Sequence, residues 1–336
     1  MNILIIGGTR NVGHYLTRDL LKAGHTVTLL NRGKTPDDLP PEIERLRADR
    51  TDPFQMERAL VGRQFDVVID NALYKQAEAE TIVRILDGKT GHYIFLSTGQ
   101  VYLVREGLER PFAETDYEGR VMPAPKANTF AYEEWLYGID KRKAEDVVAQ
   151  AGRDRQFPYT CLRLPMVNSE RDHFNRLYSY VLRLKDGGPI LVPETPDYAL
   201  RHIYAGDVVQ AISRCIERGA IAPHVYNISQ EETTSLDEFL GIIAHQLGVE
   251  PQLMRFRRTL LEANGFLPDC SPFSERWMSE LTNDLSKREL GMQYTPLREY
   301  LGRIVASYEA EPRREPVGYK RRHAEIQFAK QTAVSG

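Results

Sequence analysis

The first half of the chain alternates two hydrophobic rhythms. Short, nearly unbroken apolar runs at Asn2–Ile6 (NILII), Thr26–Leu30, Phe65–Ile69 (FDVVI), His92–Ser97 (HYIFLS) and Tyr159–Leu164 have the length of buried strands. Between them, apolar residues recur at helical spacing. Val12, Leu16, Leu20 and Leu21 mark a helix over Val12–Ala23 that Gly24 closes. Pro53–Leu60, Gln76–Leu86 and Trp135–Gln150 read as further helices. Strands alternating with helices predict right-handed crossovers and an α/β, doubly wound parallel sheet. Beyond residue 165 the alternation weakens, although Asp207–Arg218 and Leu236–Leu247 are amphipathic helices and Val225–Ile228 a short strand. This predicts a main domain over 1–165, with 205–228 returning to it, and a smaller C-terminal lobe from 166–204 and 229–310. The Pro- and Arg-rich segment 311–336 reads as a surface tail.

Ligands of such sheets bind beyond the carboxyl ends of the strands. The stretches that follow the strands are Gly7–Gly13, Asn31–Arg32, Asp49, Asp70–Ala72 and Thr98. The first is GGTRNVG, where a strand turns on Gly7 and Gly8 and enters a helix at Gly13. Such a turn offers backbone N–H groups and a helix N-terminus to a pyrophosphate, so a Rossmann-type dinucleotide site is expected. A GxxGxxG fingerprint would put glycine at position 10, and Arg10 stands there. The second strand ends in Asn31 and Arg32, with Lys34 close behind, where an NAD site usually carries an acid for the ribose hydroxyl. Guanidinium groups welcome a 2′-phosphate. Arg10 and Arg32 are therefore expected to clamp NADP, with NAD as the alternative. Asp49 is placed to accept from the adenine amino group, and Asp52 reads as the cap of the Pro53 helix.

Composition narrows the class. The 336 residues carry 42% apolar and 27% charged side chains, an ordinary globule, and show no apolar run long enough to span a membrane. The net charge of −3 argues against a nucleic-acid partner. The first strand is read from Asn2, so no signal peptide is expected ahead of it. Cys161, Cys215 and Cys270 are widely spaced, have no metal-ligand pattern and read as free thiols of a reducing cytoplasm.

Tyr137 and Lys141 stand at i and i+4 on one helix face, downstream of hydroxyls at Ser97 and Thr98 on a buried strand end. Hydride transfer at a carbonyl needs a proton donor, and a tyrosine at its ordinary pKa of ~10 is a weak base at neutral pH. A nearby ammonium from Lys141 would bring that pKa down, and Thr98 would bind the same substrate oxygen.

As a set, GGTRNVG, Asn31–Arg32, Asp49, STGQVY, YGIDK, LRLP (162–165) and RHIYAGDVV (201–209) resemble the landmarks of the extended short-chain dehydrogenase/reductases over roughly residues 1–215. That family contains nucleotide-sugar epimerases, dehydratases and reductases. The arginine in the turn is similar to an atypical branch that includes reductases, epimerase-like proteins and plastid RNA-associated proteins. The resemblance implies a catalytic set of Thr98, Tyr137 and Lys141. It implies a cofactor set of Gly7, Gly8, Thr9, Arg10, Asn11, Val12, Gly13, Asn31, Arg32, Asp49, Arg50, Asn71, Ala72, Leu73, Lys141, Leu164 and Pro165. Gln100, Tyr74, Asn168 and Arg201 are the substrate candidates, a homodimer through two helices is a habit of the family, and no metal is expected. Sugar 4,6-dehydratases carry Asp-Glu after the catalytic threonine; Gly99 and Gln100 here exclude that reaction. Pro165 and Met166 replace a diphosphate-binding asparagine, whereas Arg201 matches a diphosphate-binding arginine. His202 reads as a packing histidine and Asp207 as a helix cap.

The long segment 117–136 between Thr98 and Tyr137 reads as a loop that closes over substrate, with an apolar wall from Phe130, Tyr132 and Trp135. The expected activity is NAD(P)-dependent hydride transfer at a secondary alcohol or ketone of a sugar nucleotide or similar small molecule, as reductase or epimerase. A non-sugar ketone is one alternative. A non-catalytic NADP sensor or RNA-associated protein is the other, favoured by the basic residues Arg313, Arg314, Lys320, Arg321 and Arg322.

Overall fold

The computed structural model describes residues 1–222 and 224–334. In chain order the first half runs β1 (Asn2–Ile6), α1 (Asn11–Lys22), β2 (Thr26–Asn31), β3 (Glu44–Arg47), α2 (Pro53–Leu60), β4 (Phe65–Asp70), α3 (Gln76–Leu86) and β5 (Thr90–Thr98). There follow α4 (Gln100–Leu103), α5 (Phe130–Arg155) and β6 (Tyr159–Leu164). The remainder is β7 (Val167–Asn168), α6 (Arg176–Lys185), β8 (Ile190–Pro193), β9 (Ile203–Tyr204), α7 (Ala205–Arg218), β10 (Val225–Asn227), α8 (Leu236–Leu247), β11 (Leu253–Phe256), α9 (Arg258–Ala263), α10 (Asp284–Leu290), α11 (Leu297–Ala310) and α12 (Arg322–Val334).

Seven parallel strands form the central sheet in the order β10-β6-β5-β4-β1-β2-β3. The order reverses between β1 and β4, which opens a crevice beyond their carboxyl ends. Strand alternation builds the two faces. Ile3 and Ile5 pack on one side with Leu16 of α1 and Ile212 of α7, whereas Leu4 and Ile6 pack on the other with Ile82 of α3 and Val148 of α5. A third apolar cluster joins α6, α8 and α11 through Tyr180, Phe239, Ile243 and Ile304.

Two segments differ from the sequence reading. α5 begins at Phe130 under a Thr129 cap, so Phe130, Tyr132 and Trp135 lie on its first turns and not in a loop. Trp135 Nε1 donates to the Met122 carbonyl at 3.1 Å and ties the preceding loop to the helix. The residues expected as a surface tail contain α12, which is docked on the C-terminal half, although the last two residues lie outside the described set. Arg183 donates to Glu325 at 3.0 Å, both fully buried, and Arg322 grips Asp186 at 2.6 and 2.7 Å. Neither arginine gives a sequence sign of its burial, because Glu325 and Asp186 are distant from them in the chain.

Candidate active site

The crevice begins at the glycine turn. Gly7 has φ of +81°, which favours glycine. A Cβ at Gly13 would stand 2.5 Å from the Gly7 carbonyl oxygen, so α1 and the turn approach as only glycine permits. The helix starts at Asn11 with no side-chain cap, which leaves its first backbone N–H groups for an anion. Across the crevice, both polar atoms of the Asn71 side-chain amide are buried without a hydrogen-bond partner. Unpaired buried amide atoms are rare in folded chains. Together, a cradle that a Cβ would fill and an orphaned amide beside it fit a dinucleotide. Thr9 is partly buried and Arg10 exposed at this turn; Gly8 and Val12 are buried, and Val12 contributes its side chain to the core. Asn11 accepts from Ser169 at 2.7 Å, a link from the turn to the C-terminal half.

At the adenosine end, β2 and β3 pair with Asn31 opposite Arg47. Arg47 Nη1 donates to Asn31 Oδ1 at 2.9 Å, and the Gly33 amide donates to the same oxygen at 2.8 Å. Arg47 is thus a third cation beside Arg32 and Lys34. Sequence reading missed it, because its nearness depends on strand register. Arg32 is largely exposed and lies 4.0 Å from Asp49, a weak surface pair that a phosphate can replace. Asp49 accepts from the Thr51 hydroxyl and amide, which holds its carboxyl below the usual range. Asp52 caps α2 as expected. Arg50 departs from its expected place. Its guanidinium meets Asp70 at 2.6 and 2.9 Å and is largely buried, and Tyr93 donates to the same carboxylate. Asp70 also accepts from the Ala72 amide, so Arg50 shapes the loop carrying Asn71 and Ala72 and has no donor directed at a ligand from that pair.

Thr98 ends β5, and Tyr137 and Lys141 project from α5 beside it. The Thr98 hydroxyl accepts from the Gln100 amide at 3.3 Å and lies close enough to the Tyr137 phenol to favour its ionised form. Lys141 is buried and donates to the Leu73 carbonyl at 2.7 Å and the Leu96 carbonyl at 2.8 Å, so Leu73 serves through its backbone. The Lys141 Nζ stands 4.9 Å from the Tyr74 ring centre and 6.0 Å from that of Tyr137. The expected depression of the tyrosine pKa is not found. Burial dominates and pushes the Tyr137 phenol up, while burial draws Lys141 down to about 8. Tyr137 is accordingly held as a phenol, the form that donates a proton. Leu164 and Pro165 are buried beside β5, and the Leu164 carbonyl accepts from the Gly99 amide at 2.7 Å.

The substrate candidates divide. Tyr74 is 44% exposed with its ring 6.3 Å from that of Tyr137, and Gln100 donates its side-chain amide to Glu134, one turn before Tyr137. Glu134 escaped sequence reading because nothing in the sequence gives the facing side of α5 before its start is known. Arg201 is half-buried and donates Nε to the Gln230 carbonyl at 2.9 Å. Asn168 lies in the core. It is buried and donates to His202 Nδ1 at 3.0 Å, near Tyr300. Asp207 is not a cap: it lies within α7 and accepts from Thr295 at 2.7 and 3.0 Å. His202 packs on Phe239 and Phe273 as a core histidine, and burial lowers it to about 3. Its folded pKa lies below the ordinary 6.5, so the folded chain binds fewer protons between those values. Stability is then lost as pH falls from 6.5 towards 3, with a slope near 1.4 kcal/mol per pH unit for that one proton. Urea unfolding at pH 6.5, 5.5 and 4.5 will show this slope, and His202→Gln will flatten it by about one proton.

A buried polar network backs the site. Glu145, on α5 one turn beyond Lys141, receives Arg163 at 2.6 and 3.1 Å and the Ser97 hydroxyl. Arg163 also donates to Tyr102 at 2.7 Å, and Tyr102 to Asn227 of β10 at 2.9 Å. The network clamps α5 against the ends of β5, β6 and β10, and so sets Tyr137 against Thr98. All three cysteines are buried and unpaired, and no cluster of metal-ligating side chains occurs among the described residues. Among those residues no helix is long and apolar enough to cross a membrane.

The chloroplast stem-loop binding protein of 41 kDa b from Arabidopsis thaliana is 28% identical over 269 residues, 76% of this chain and 65% of that protein. The 2'-dehydrokanamycin reductase of Streptomyces kanamyceticus is 28% identical over 167 residues, 50% of this chain and 43% of that protein. The chain therefore spans less than two thirds of either relative. Among solved structures, the Thermotoga maritima UDP-glucose 4-epimerase with UDP-glucose superposes with a TM-score of 0.71 at 19% identity, covering 92% of this chain and 99% of that one. The Bacillus anthracis dTDP-glucose 4,6-dehydratase with NAD gives 0.71 at 15% identity, covering 93% and 97%. These likenesses establish the fold. The model of the NAD dependent epimerase/dehydratase family matches residues 3–229, and this chain belongs to that family.

Proposed function

We propose that the protein is an NADP(H)-dependent reductase of a ketone on a sugar-like small molecule, with Tyr137 as the proton donor. The observation that carries the reading is the placement of Tyr137 on α5 beside Thr98 at the end of β5, with Lys141 buried one turn further along the same helix. The dinucleotide, when bound, supplies the hydride. Gly7, Gly13, Asn71 and the start of α1 would hold its phosphates, and Arg32, Lys34 and Arg47, with Arg10 at the turn, would receive a 2′-phosphate. Tyr137 then gives its proton to the developing alkoxide, Thr98 holds the same oxygen, and buried Lys141 offers the charge that stabilises the phenolate left behind. The relative named for reducing a dehydrokanamycin supports a reductase. An epimerase reading is favoured by the fold-level likeness to UDP-glucose 4-epimerases. Elimination of water is disfavoured at Gly99, where a Cβ would collide with Ser279, and the position next to Thr98 has no room for an acid.

The test is selective loss at the clamp. Arg32→Ala is expected to weaken NADPH about tenfold and NADH less than twofold, measured by fluorescence titration. An equal loss for both removes the 2′-phosphate role.

A further inference from the structure

Phe130, Glu134 and Tyr137 stand at i, i+4 and i+7, along one side of the first turns of α5. At 1.5 Å per residue, Glu134 lies about 4.5 Å and Phe130 about 10 Å along the axis from Tyr137. This is the reach of one or two sugar-sized rings. Phe130 is 44% exposed, and Tyr74, beside Tyr137, is equally exposed. The stripe therefore presents an open aromatic face, a carboxyl and the phenol in sequence.

The carboxyl makes no direct ion pair. Glu134 is half-buried and its hydrogen-bond partner is the neutral amide of Gln100. Among the described residues it joins no ion pair within 4.0 Å, unlike Glu275 nearby, which meets Arg258 at 3.0 Å. Arg176 is the cation that faces it, but that guanidinium is stacked 4.2 Å from the Phe174 ring centre and contacts the Met166 sulfur. Burial pushes the Glu134 carboxyl up, against the Gln100 hydrogen bond and the more distant Arg176. Meanwhile Asn168, one of the two groups expected near a diphosphate, is locked into the core, while Arg201 commits its Nε to a carbonyl.

We infer that Glu134 receives a protonated amine of the substrate, which is an amino-substituted sugar-like ring lying along Phe130 and Tyr74 with its reacting carbon at Tyr137. This rests on the reductase reading for the reacting carbon, but the amine site is testable alone. An ammonium in that place gains a charge-assisted hydrogen bond to Glu134 and cation–π contact with the rings. A nucleoside diphosphate would bring like charge to the carboxyl.

Isothermal titration of the full chain saturated with NADPH would use kanamycin as the amine-bearing probe, methyl α-glucopyranoside as the neutral one and UDP-glucose as the anionic one. Kanamycin is expected to bind at least about tenfold tighter than either. Glu134→Gln, which keeps shape and hydrogen bonding to Gln100, should remove that advantage and leave the neutral probe and NADPH within about twofold. Equal binding of the neutral and amine probes, tighter binding of UDP-glucose, no binding of kanamycin, or an equal loss for both sugars in Glu134→Gln would overturn the inference. Failure of NADPH itself to bind would instead count against the reductase reading, and the probe comparison, repeated on the unloaded chain, would still decide the amine site.

Discussion

Tyr137→Phe is expected to lower turnover by about a thousandfold, the usual contribution of a positioned general acid. The ring keeps its packing beside Tyr74, so the NADPH dissociation constant stays within about twofold and the fold is unchanged. Steady-state rates with fluorescence titration of cofactor separate the two. The effect falls on kcat and kcat/KM alike, because the lost proton matters in the transition state and not in the bound ground state. Full activity in this variant would remove the phenol from the chemistry.

Glu145→Ala is the largest stability effect expected. It strips the partner from Arg163, which is 3% exposed and donates to Glu145 through both Nε and Nη2. Removing one member of a buried ion pair costs about 3–5 kcal/mol, because the other charge is left uncompensated. Domains of ordinary stability have about 5–15 kcal/mol in all, so the variant should sit near its unfolding threshold. Urea denaturation at neutral pH measures the change. Glu145→Gln retains the shape and several hydrogen bonds and should lose less. A loss under 1 kcal/mol in the alanine variant would mean that solvent reaches Arg163 and that the network does not clamp α5.

Much of the fold was legible because the governing signals are local. β1, α2, α3, β6 and α8 fall within the ranges that apolar periodicity and caps mark, and the glycine turn stands where the first strand ends. The start of α5 was misread. Its first turns mix aromatic and acidic residues around the wall side chains, and the pattern there resembles a loop more than an amphipathic stripe. That misreading concealed Glu134, which faces Gln100 only when the helix extends back to Phe130.

Tertiary pairings account for the other departures. Arg50 follows Asp49 in sequence and looks like a second cofactor contact, but Asp70 and Glu78 draw it inward. Asn168 sits where a diphosphate ligand would be sought, but His202 occupies its amide. Arg47 matters through the pairing of β3 with β2. The direction of the Tyr137 shift also needed coordinates, since burial sets it and sequence spacing reports only the nearness of Lys141.

A native mass spectrum of freshly purified protein, with NADPH and NADH titrated in afterwards, decides whether the dinucleotide site is exchanging and NADP-selective. The expected result is an empty chain that takes up one NADPH in preference to NADH. A dinucleotide already retained and not displaced would contradict the reductase cycle and point to a resident-cofactor epimerase, its mass naming NAD or NADP. A chain that binds neither would contradict the enzyme reading altogether.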